Sequence, residues 1–193
     1  MKQNDVLDVS GHLQIIKVYK DGTEEKVYDD HNVITSGMGV GLSMLFAGQG
    51  TSIADFQIRY FQAGSGALSD PPSYTQAKLE APILDAAFYG QAITSTHKRM
   101  LSTGAGSSDE EFAYIPDNAI KKSSPTSVTY ILYLTEEATP PDPIDEIGLF
   151  MNNPLSTIIT LGEKRSPLVA YRTFNAITKT GEYSLVFKWK LSF

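Results

Sequence analysis

The last eleven residues of the chain alternate between apolar and polar side chains. One parity is aromatic or aliphatic, and the other is mostly lysine and serine: Tyr183, Leu185, Phe187, Trp189, Leu191 and Phe193 against Ser184, Val186, Lys188, Lys190 and Ser192. Because successive side chains of a strand point to opposite faces, this pattern predicts a strand with one face in the core. The segment also holds the only tryptophan of the chain. We therefore expect this strand to be docked in the core.

Residues 12 to 34 predict a β-hairpin. His12 to Tyr19 is strand-like, Lys20 to Thr23 is a turn, and Glu24 to Tyr28 leads back. An Asp-Gly pair between two such runs is a strong local signal for a hairpin.

Gly37 to Gly50 predicts the one short helix. Its apolar residues fall on one helical face: Met38, Leu42, Leu45 and Phe46. Thr35 or Ser36 can cap its first turn. Gly39 and Gly41 weaken the helix by about 1 kcal/mol each relative to alanine. They also permit close backbone approach, so we expect the helix to pack tightly against a sheet.

Further short strands are expected along the rest of the chain. They are Ile53–Ala63, Phe88–Arg99, Ser127–Thr135, Ile147–Phe150, Thr157–Leu161 and Leu168–Phe174. In the first we expect Phe56, Ile58 and Tyr60 on one side, and in the third we expect four residues to point inward: Val128, Tyr130, Leu132 and Leu134. The proline-rich segment 136–143 connects two strands, because proline cannot pair inside a sheet.

These elements predict a mainly β fold. Seven to nine short strands, separated by turn-rich loops and accompanied by one short helix, are typical of an antiparallel β-sandwich, here jelly-roll-like. A length of 193 residues favours a single domain spanning 1–193, with 1–10 as an extended arm.

Charge and composition exclude several classes of partner. A net charge of -6 argues against binding a phosphate backbone, so we expect no nucleic-acid partner. No apolar run approaches the roughly 20 residues that span a bilayer, and the N-terminus lacks the apolar core of a signal peptide. The chain has no cysteine, which removes disulfides, thiolate metal sites and cysteine nucleophiles. We expect synthesis in the cytoplasm and no membrane partner.

The sequence predicts no catalytic, cofactor-binding or metal-binding residues. The three histidines are scattered, and Gly-x-Ser-x-Gly is absent. Asp142, Asp145 and Glu146 form a dense carboxylate group, but they lack the spacing of a calcium loop. We expect Asp145 or Glu146 to accept hydrogen bonds from the backbone or from an arginine such as Arg172. The acidic run 109–111 and the Gly-Ser-Gly segment 64–66 indicate solvated loops.

Several segments, taken in order, carry a resemblance. They are the hairpin with its Lys-Asp-Gly-Thr turn, His31–Gly37 with the glycine-rich helix, Phe56–Gly66, Leu79–Ile83, Asp145–Phe150, Leu168–Phe174 and Ser184–Leu191. This order resembles that of virion structural proteins of tailed bacteriophages, in particular small β-rich proteins and fibre-anchoring domains of the tail, baseplate or neck. The resemblance implies self-assembly into a ring or trimer and contacts with other virion proteins. It supplies no site residues. No long shaft or receptor-binding tip follows, so we do not expect host recognition by this chain alone.

The expected function is that of a non-enzymatic structural component of a phage virion, made in the host cytoplasm. Its partners would be copies of itself and other virion proteins. We expect contacts through sheet edges, the loops 64–78 and 102–126, and the segment 1–10, because edges and arms add backbone hydrogen bonds to an existing sheet. The alternatives are a capsid decoration protein and a glycan-binding β-sandwich module. An enzyme is the least favoured interpretation.

Overall fold

The computed structural model describes residues 9–50, 52–64, 113–137, 143–151 and 168–193. The strands are β1 (Ser10–Tyr19), β2 (Glu24–Ile34), β3 (Ile58–Gly64), β4 (Ala113–Tyr114), β5 (Ile120–Ser124), β6 (Ser127–Leu134), β7 (Ile144–Met151), β8 (Leu168–Ile177) and β9 (Tyr183–Ser192). The helix α1 spans Ser36–Phe46, and short 3-10 helices span Ile53–Phe56 and Asp117–Ala119. The prediction of a mainly β, antiparallel chain with one short helix is confirmed.

All nine strands belong to one curled sheet in the order β4-β3-β7-β8-β2-β1-β9-β6-β5. Strand β2 joins its two halves, since the strand pairs with β1 as far as Asn32 and its last two residues, Val33 and Ile34, pair with β8. A single core cluster takes side chains from both halves: Leu13, Leu132 and Trp189 from one, and Phe61, Leu149 and Val169 from the other. The sheet therefore curls around one core. The described strands do not confirm two separate layers in jelly-roll order.

The predicted hairpin is β1–β2. Its turn is closed by the Tyr19 N–H, which donates to the Thr23 carbonyl at 2.9 Å, and by the Asp21 carboxylate, which accepts from the Thr23 N–H at 2.8 Å. Gly22 has a φ of 85°, a left-handed conformation that glycine adopts without a steric cost. The Asp-Gly pair thus fixes the turn locally.

Strand β9 also follows the prediction. Its inward residues from Tyr183 to Leu191 are buried, whereas Phe193 lies beyond the strand and is 42% exposed. The fully buried Trp189 donates its indole N–H to Asn32 Oδ1 at 2.8 Å. Gly11 makes room for this bond, because a Cβ at that position would overlap the Asn32 amide.

The strand expected from Ile53 begins later. Residues 53–56 form a 3-10 helix, and β3 starts at Ile58. The pairing of β3 with β7 shifts register between Ile58 and Tyr60, which is a β-bulge. The bulge reverses the inward parity, so that Phe61 and Ala63 are buried while Tyr60 is only half-buried. The prediction that Phe56, Ile58 and Tyr60 share one face is therefore wrong.

Part of the loop predicted over 102–126 is ordered structure. It contains β4, the second 3-10 helix and β5. Strand β5 has the sequence Ile-Lys-Lys-Ser-Ser, too short and polar to show an alternating pattern. Ser10, assigned to an arm, pairs with Ser192 and belongs to the sheet. Four predicted segments lie outside the described residues: the rest of the arm (1–8), the loop 65–78, and the strands expected at 88–99 and 157–161.

The helix is shorter than predicted, ending at Phe46. Thr35 occupies the N-cap position, but its hydroxyl donates to the Leu168 carbonyl and so ties the helix start to β8. Close approach to the sheet is confirmed at Gly41, where a Cβ would overlap the Met151 thioether. The expected apolar face is wrong at Phe46, whose side chain is 82% exposed.

Candidate functional site: an apolar corner and a charged sheet face

An apolar cleft of about 400 Å³ opens beside α1 and the first 3-10 helix. Its apolar lining includes Met38 and Leu42 from α1, Phe56 from the 3-10 helix, Ile58 from β3 and Phe193 beyond the end of β9. These residues meet because the end of β2 carries the chain into α1, and α1 contacts the 3-10 helix that leads into β3. The cleft is thus formed by elements that the sheet itself brings together.

The polar side chains of this cleft are centred on Arg59. Arg59 donates from Nη1 to Asp117 Oδ1 at 2.5 Å and from Nε to Gln57 Oε1 at 2.8 Å. Its side chain is 15% exposed, whereas that of Asp117 is 86% exposed. Tyr130 also lines the cleft, where burial raises the pKa of its phenol to about 12 and the Arg59 charge partly opposes that rise. Such a lining suits an apolar group with a polar or acidic edge.

Two large apolar side chains project into water on the same elements. Phe46, at the end of α1, is 82% exposed, and Ile53, at the start of the 3-10 helix, is 76% exposed. We call Phe46, Ile53 and the adjacent cleft the apolar corner. Exposed apolar surface next to a concave apolar site is typical of a surface that is covered by another molecule.

A second surface lies on the outer side of β5, β6, β9 and β1. The register places Lys121 opposite Thr129, Thr129 opposite Lys190, and Lys190 opposite His12. These side chains form one row across four strands, and Lys188 lies two residues from Lys190 on the same side of β9. We call Lys121, Lys188 and Lys190 the basic face.

His12 is the member of this row on β1. Its Nε2 is 3.0 Å from Asp29 Oδ1, and its ring meets the His31 ring edge-on at 5.6 Å. Hydrogen bonds from Lys26 and Gln14 hold the pKa of Asp29 below its usual range, the Lys26 bond having the larger effect. Asp29 is thus committed to neighbouring donors on the sheet surface. Among the described residues, no group of three or more acidic, histidine or cysteine side chains is arranged to hold a metal ion.

Glu146, one of the carboxylates singled out near β7, is bonded within the fold. Glu146 is fully buried, and its Oε2 accepts from the Tyr171 hydroxyl at 2.6 Å. Burial, and then the Glu146 charge, raise the pKa of Tyr171 well above its ordinary value. Asp142, Asp109–Glu111 and the segment 65–66 lie outside the described residues.

Arg172, proposed as a partner for these carboxylates, also bonds elsewhere. Its Nη2 donates to Asp30 Oδ2 at 2.7 Å, and its guanidinium lies 5.5 Å from the centre of the Tyr28 ring. The sequence did not indicate this pair, because only the pairing of β2 with β8 brings the two residues together. The apolar corner was also missed, since Ile53 and Phe46 read as ordinary core positions.

No family model, curated protein or solved structure matches this chain. In the part of the chain that the structure describes, none of the helices is long and apolar enough to cross a membrane. The functional assignment therefore depends on the chain's own residues.

Proposed function

We propose that the chain is a non-enzymatic structural component of a tailed-bacteriophage virion, associated with the tail, baseplate or neck. It acts by assembling with copies of itself and with other virion proteins. The virion context comes from the resemblance of the chain's segments, taken in order, to virion structural proteins of tailed bacteriophages. The observation that carries the assembly role is the apolar corner, with Phe46 82% and Ile53 76% exposed on two elements that also line an apolar cleft.

The energetics of the corner support a contact role. Burying a Phe or Ile side chain that is otherwise in water contributes about 1.5–3 kcal/mol. Two such side chains on neighbouring elements can therefore anchor an interface without large area, as the central residues of protein interfaces commonly do. In an isolated chain the same two side chains would only promote non-specific association.

The corner is a better contact surface than the β5 edge. Strand β5 is an end strand of the described sheet, and Lys121 and Lys122 are both exposed on it. Lysines on an end strand oppose the addition of another strand, because the incoming backbone would have to displace their hydration. Assembly through side chains of the corner is therefore favoured over strand addition at β5.

The proposed role also fits a two-layer description of the fold. We propose that the halves β2-β1-β9-β6-β5 and β4-β3-β7-β8-β2 act as the two layers of a jelly-roll-like sandwich. The shared core supports this description, because it takes side chains from both halves. A sandwich of this kind presents its helix and loops at the ends of the strands, where virion proteins can contact them.

The proposal is tested by measuring solution mass over a concentration series. We expect the wild-type chain to form a discrete oligomer, and the double variant Phe46→Ser, Ile53→Ser to need at least a tenfold higher concentration to associate. Tyr133→Ser is the comparison variant, since Tyr133 is 48% exposed but lies on the outer face of β6. It should weaken association less than the double variant does.

Two results would contradict the proposal. One is a wild-type chain that stays monomeric at every concentration and fails to bind purified virion proteins. The other is a monomer that binds members of a glycan array, which would favour the glycan-binding module instead.

A further inference from the structure

Acidic side chains are concentrated at one end of the strands β1, β9 and β6. Tyr19 pairs with Tyr183, and Leu134 pairs with Leu185, so the segments that leave β1 and β6 and enter β9 lie side by side. Six carboxylates occupy this end, which we call the acidic rim: Asp21, Glu24, Glu25, Glu136, Glu137 and Glu182. Three lysines lie at the same end: Lys17, Lys20 and Lys179. Six carboxylates against three lysines leave a net charge of -3.

Two of those lysines contribute little to the surface of the rim. Lys179 is 3% exposed, and its Nζ donates to the Thr180 carbonyl at 2.5 Å. Lys17 is engaged with Glu25, at 3.4 Å between Nζ and Oε2. The exposed charges that are not paired with Lys17 are thus mainly Asp21, Glu24, Glu137 and Glu182, with Lys20 as the exposed cation. The surface of the rim is acidic.

The basic face lies towards the opposite end of the same strands. Lys190 is seven positions beyond Tyr183 on β9, which corresponds to roughly 23 Å along a strand. This distance is well beyond the Debye length of about 8 Å at physiological salt, so the two surfaces do not neutralise each other within one molecule. The carboxylate nearest in register to the face is Asp29, opposite Gln14, and it is bonded to Lys26 and Gln14. The lysines of the face are therefore available to an external acidic surface.

We propose that the acidic rim of one copy docks on the basic face of the next copy, in a head-to-tail arrangement. The proposal rests on the self-assembly described above and identifies one of its interfaces. Copies with a net charge of -6 repel one another at long range. Docking of opposite charges offsets this repulsion and fixes the orientation of the encounter, since it places rim against face and excludes rim against rim.

The arrangement has a consequence for symmetry. In a two-fold contact, the rim and the face of one copy would both meet the same neighbour. In the head-to-tail arrangement they meet two different neighbours, which is a heterologous contact and produces a closed ring if the rotation between copies closes and an open filament if it does not. Either form uses both surfaces of every interior copy.

Charge reversal on each surface tests the arrangement. The face variant is Lys188→Glu, Lys190→Glu, and the rim variant is Glu137→Lys, Glu182→Lys. Each should associate at least tenfold more weakly than the wild type, as measured by solution mass, after unfolding curves show that it is folded. An equimolar mixture should recover the association, because the reversed face then meets the reversed rim, and the intact rim meets the intact face, so that opposite charges again face each other. Both variants keep a negative net charge, so general attraction between them would not cause the recovery.

A matched control is Lys20→Glu, which makes the same change of charge as a face substitution but within the rim. It should associate at least as strongly as the wild type. Wild-type association should also weaken as salt is raised from about 0.05 M to about 1 M, because the Debye length shrinks several-fold over that range.

The outcomes separate this proposal from the one it rests on. If both variants associate like the wild type while the apolar-corner variant does not, the head-to-tail contact is wrong and self-assembly stands. If each variant is impaired but the mixture recovers nothing, rim and face do not contact each other. If the wild type is monomeric under every condition, both proposals fail.

Discussion

The hydrogen bond between Trp189 and Asn32 can be tested by a double-mutant cycle with Gly11. Asn32→Ala removes the oxygen that accepts the indole N–H at 2.8 Å. The indole is fully buried, so the donor loses its partner away from water, at a cost of about 1–3 kcal/mol. Gly11→Ala places a Cβ where it overlaps the Asn32 amide, and the forced rearrangement also costs about 1–3 kcal/mol. Each single variant should be destabilised.

The two substitutions should not be additive. When Asn32 is already alanine, the amide that blocks a Cβ at Gly11 is gone, so the second substitution costs little. We expect the loss of stability in the double variant to be smaller than the sum of the two single losses by at least about 1 kcal/mol. Independent substitutions add within about 0.3–0.5 kcal/mol, so the difference is measurable.

Urea unfolding followed by tryptophan fluorescence is the assay. Trp189 is the only tryptophan, so the signal reports on this site. Gly39→Ala is the matched control: nothing lies within 4 Å of a Cβ there, and the position is helical, so it should stabilise the chain by about 0.5–1 kcal/mol. Additive losses, or a neutral Gly11→Ala, would refute the reasoning.

Two further predictions concern buried tyrosines. Tyr171→Phe removes the hydroxyl that donates to Glu146 at 2.6 Å. A hydrogen bond to a charged group contributes about 1.5–3 kcal/mol, so urea unfolding should show a loss of stability of that size. A change below about 0.5 kcal/mol would contradict this expectation. Burial raises the pKa of Tyr130 from 10.0 to about 12, so its contribution to stability is present below pH 10 and is lost as the pH rises through about 12. In Tyr130→Phe, the free energy of unfolding should fall less steeply with pH between those values than it does in the wild type. An equally steep fall in both would show that another group causes the loss.

Local periodicity accounts for what the sequence predicts well. Strands β1 and β9 carry a two-residue alternation, and the Asp-Gly turn of the β1–β2 hairpin fixes its own conformation through Gly22. The failures have equally physical causes. A single bulge after Ile58 reverses the inward side of β3, and β5 is too short and polar to be recognised.

The candidate surfaces depend on register, which a single sequence does not specify. Arg59 and Asp117 are 58 residues apart, and Arg172 and Asp30 are 142 residues apart, so only strand pairing brings either pair together. The basic face likewise exists because β9 lies between β1 and β6. From the sequence alone, Lys188 and Lys190 are predicted only to lie on the polar side of β9.

The position of β9 between β1 and β6 also sets the order in which the chain can fold during synthesis. Asn32 and Trp189 are 157 residues apart, and at about 5–20 residues per second that interval takes roughly 8–31 s. A hairpin such as β1–β2 forms in about 1–10 μs, so it waits through that interval without β9 along the edge of β1 and with its apolar face uncovered. The centre of the core closes only when β9 emerges. Nascent chains are therefore most exposed to aggregation and to chaperones before β9 is made, and a truncation that removes β9 should leave the chain unable to fold.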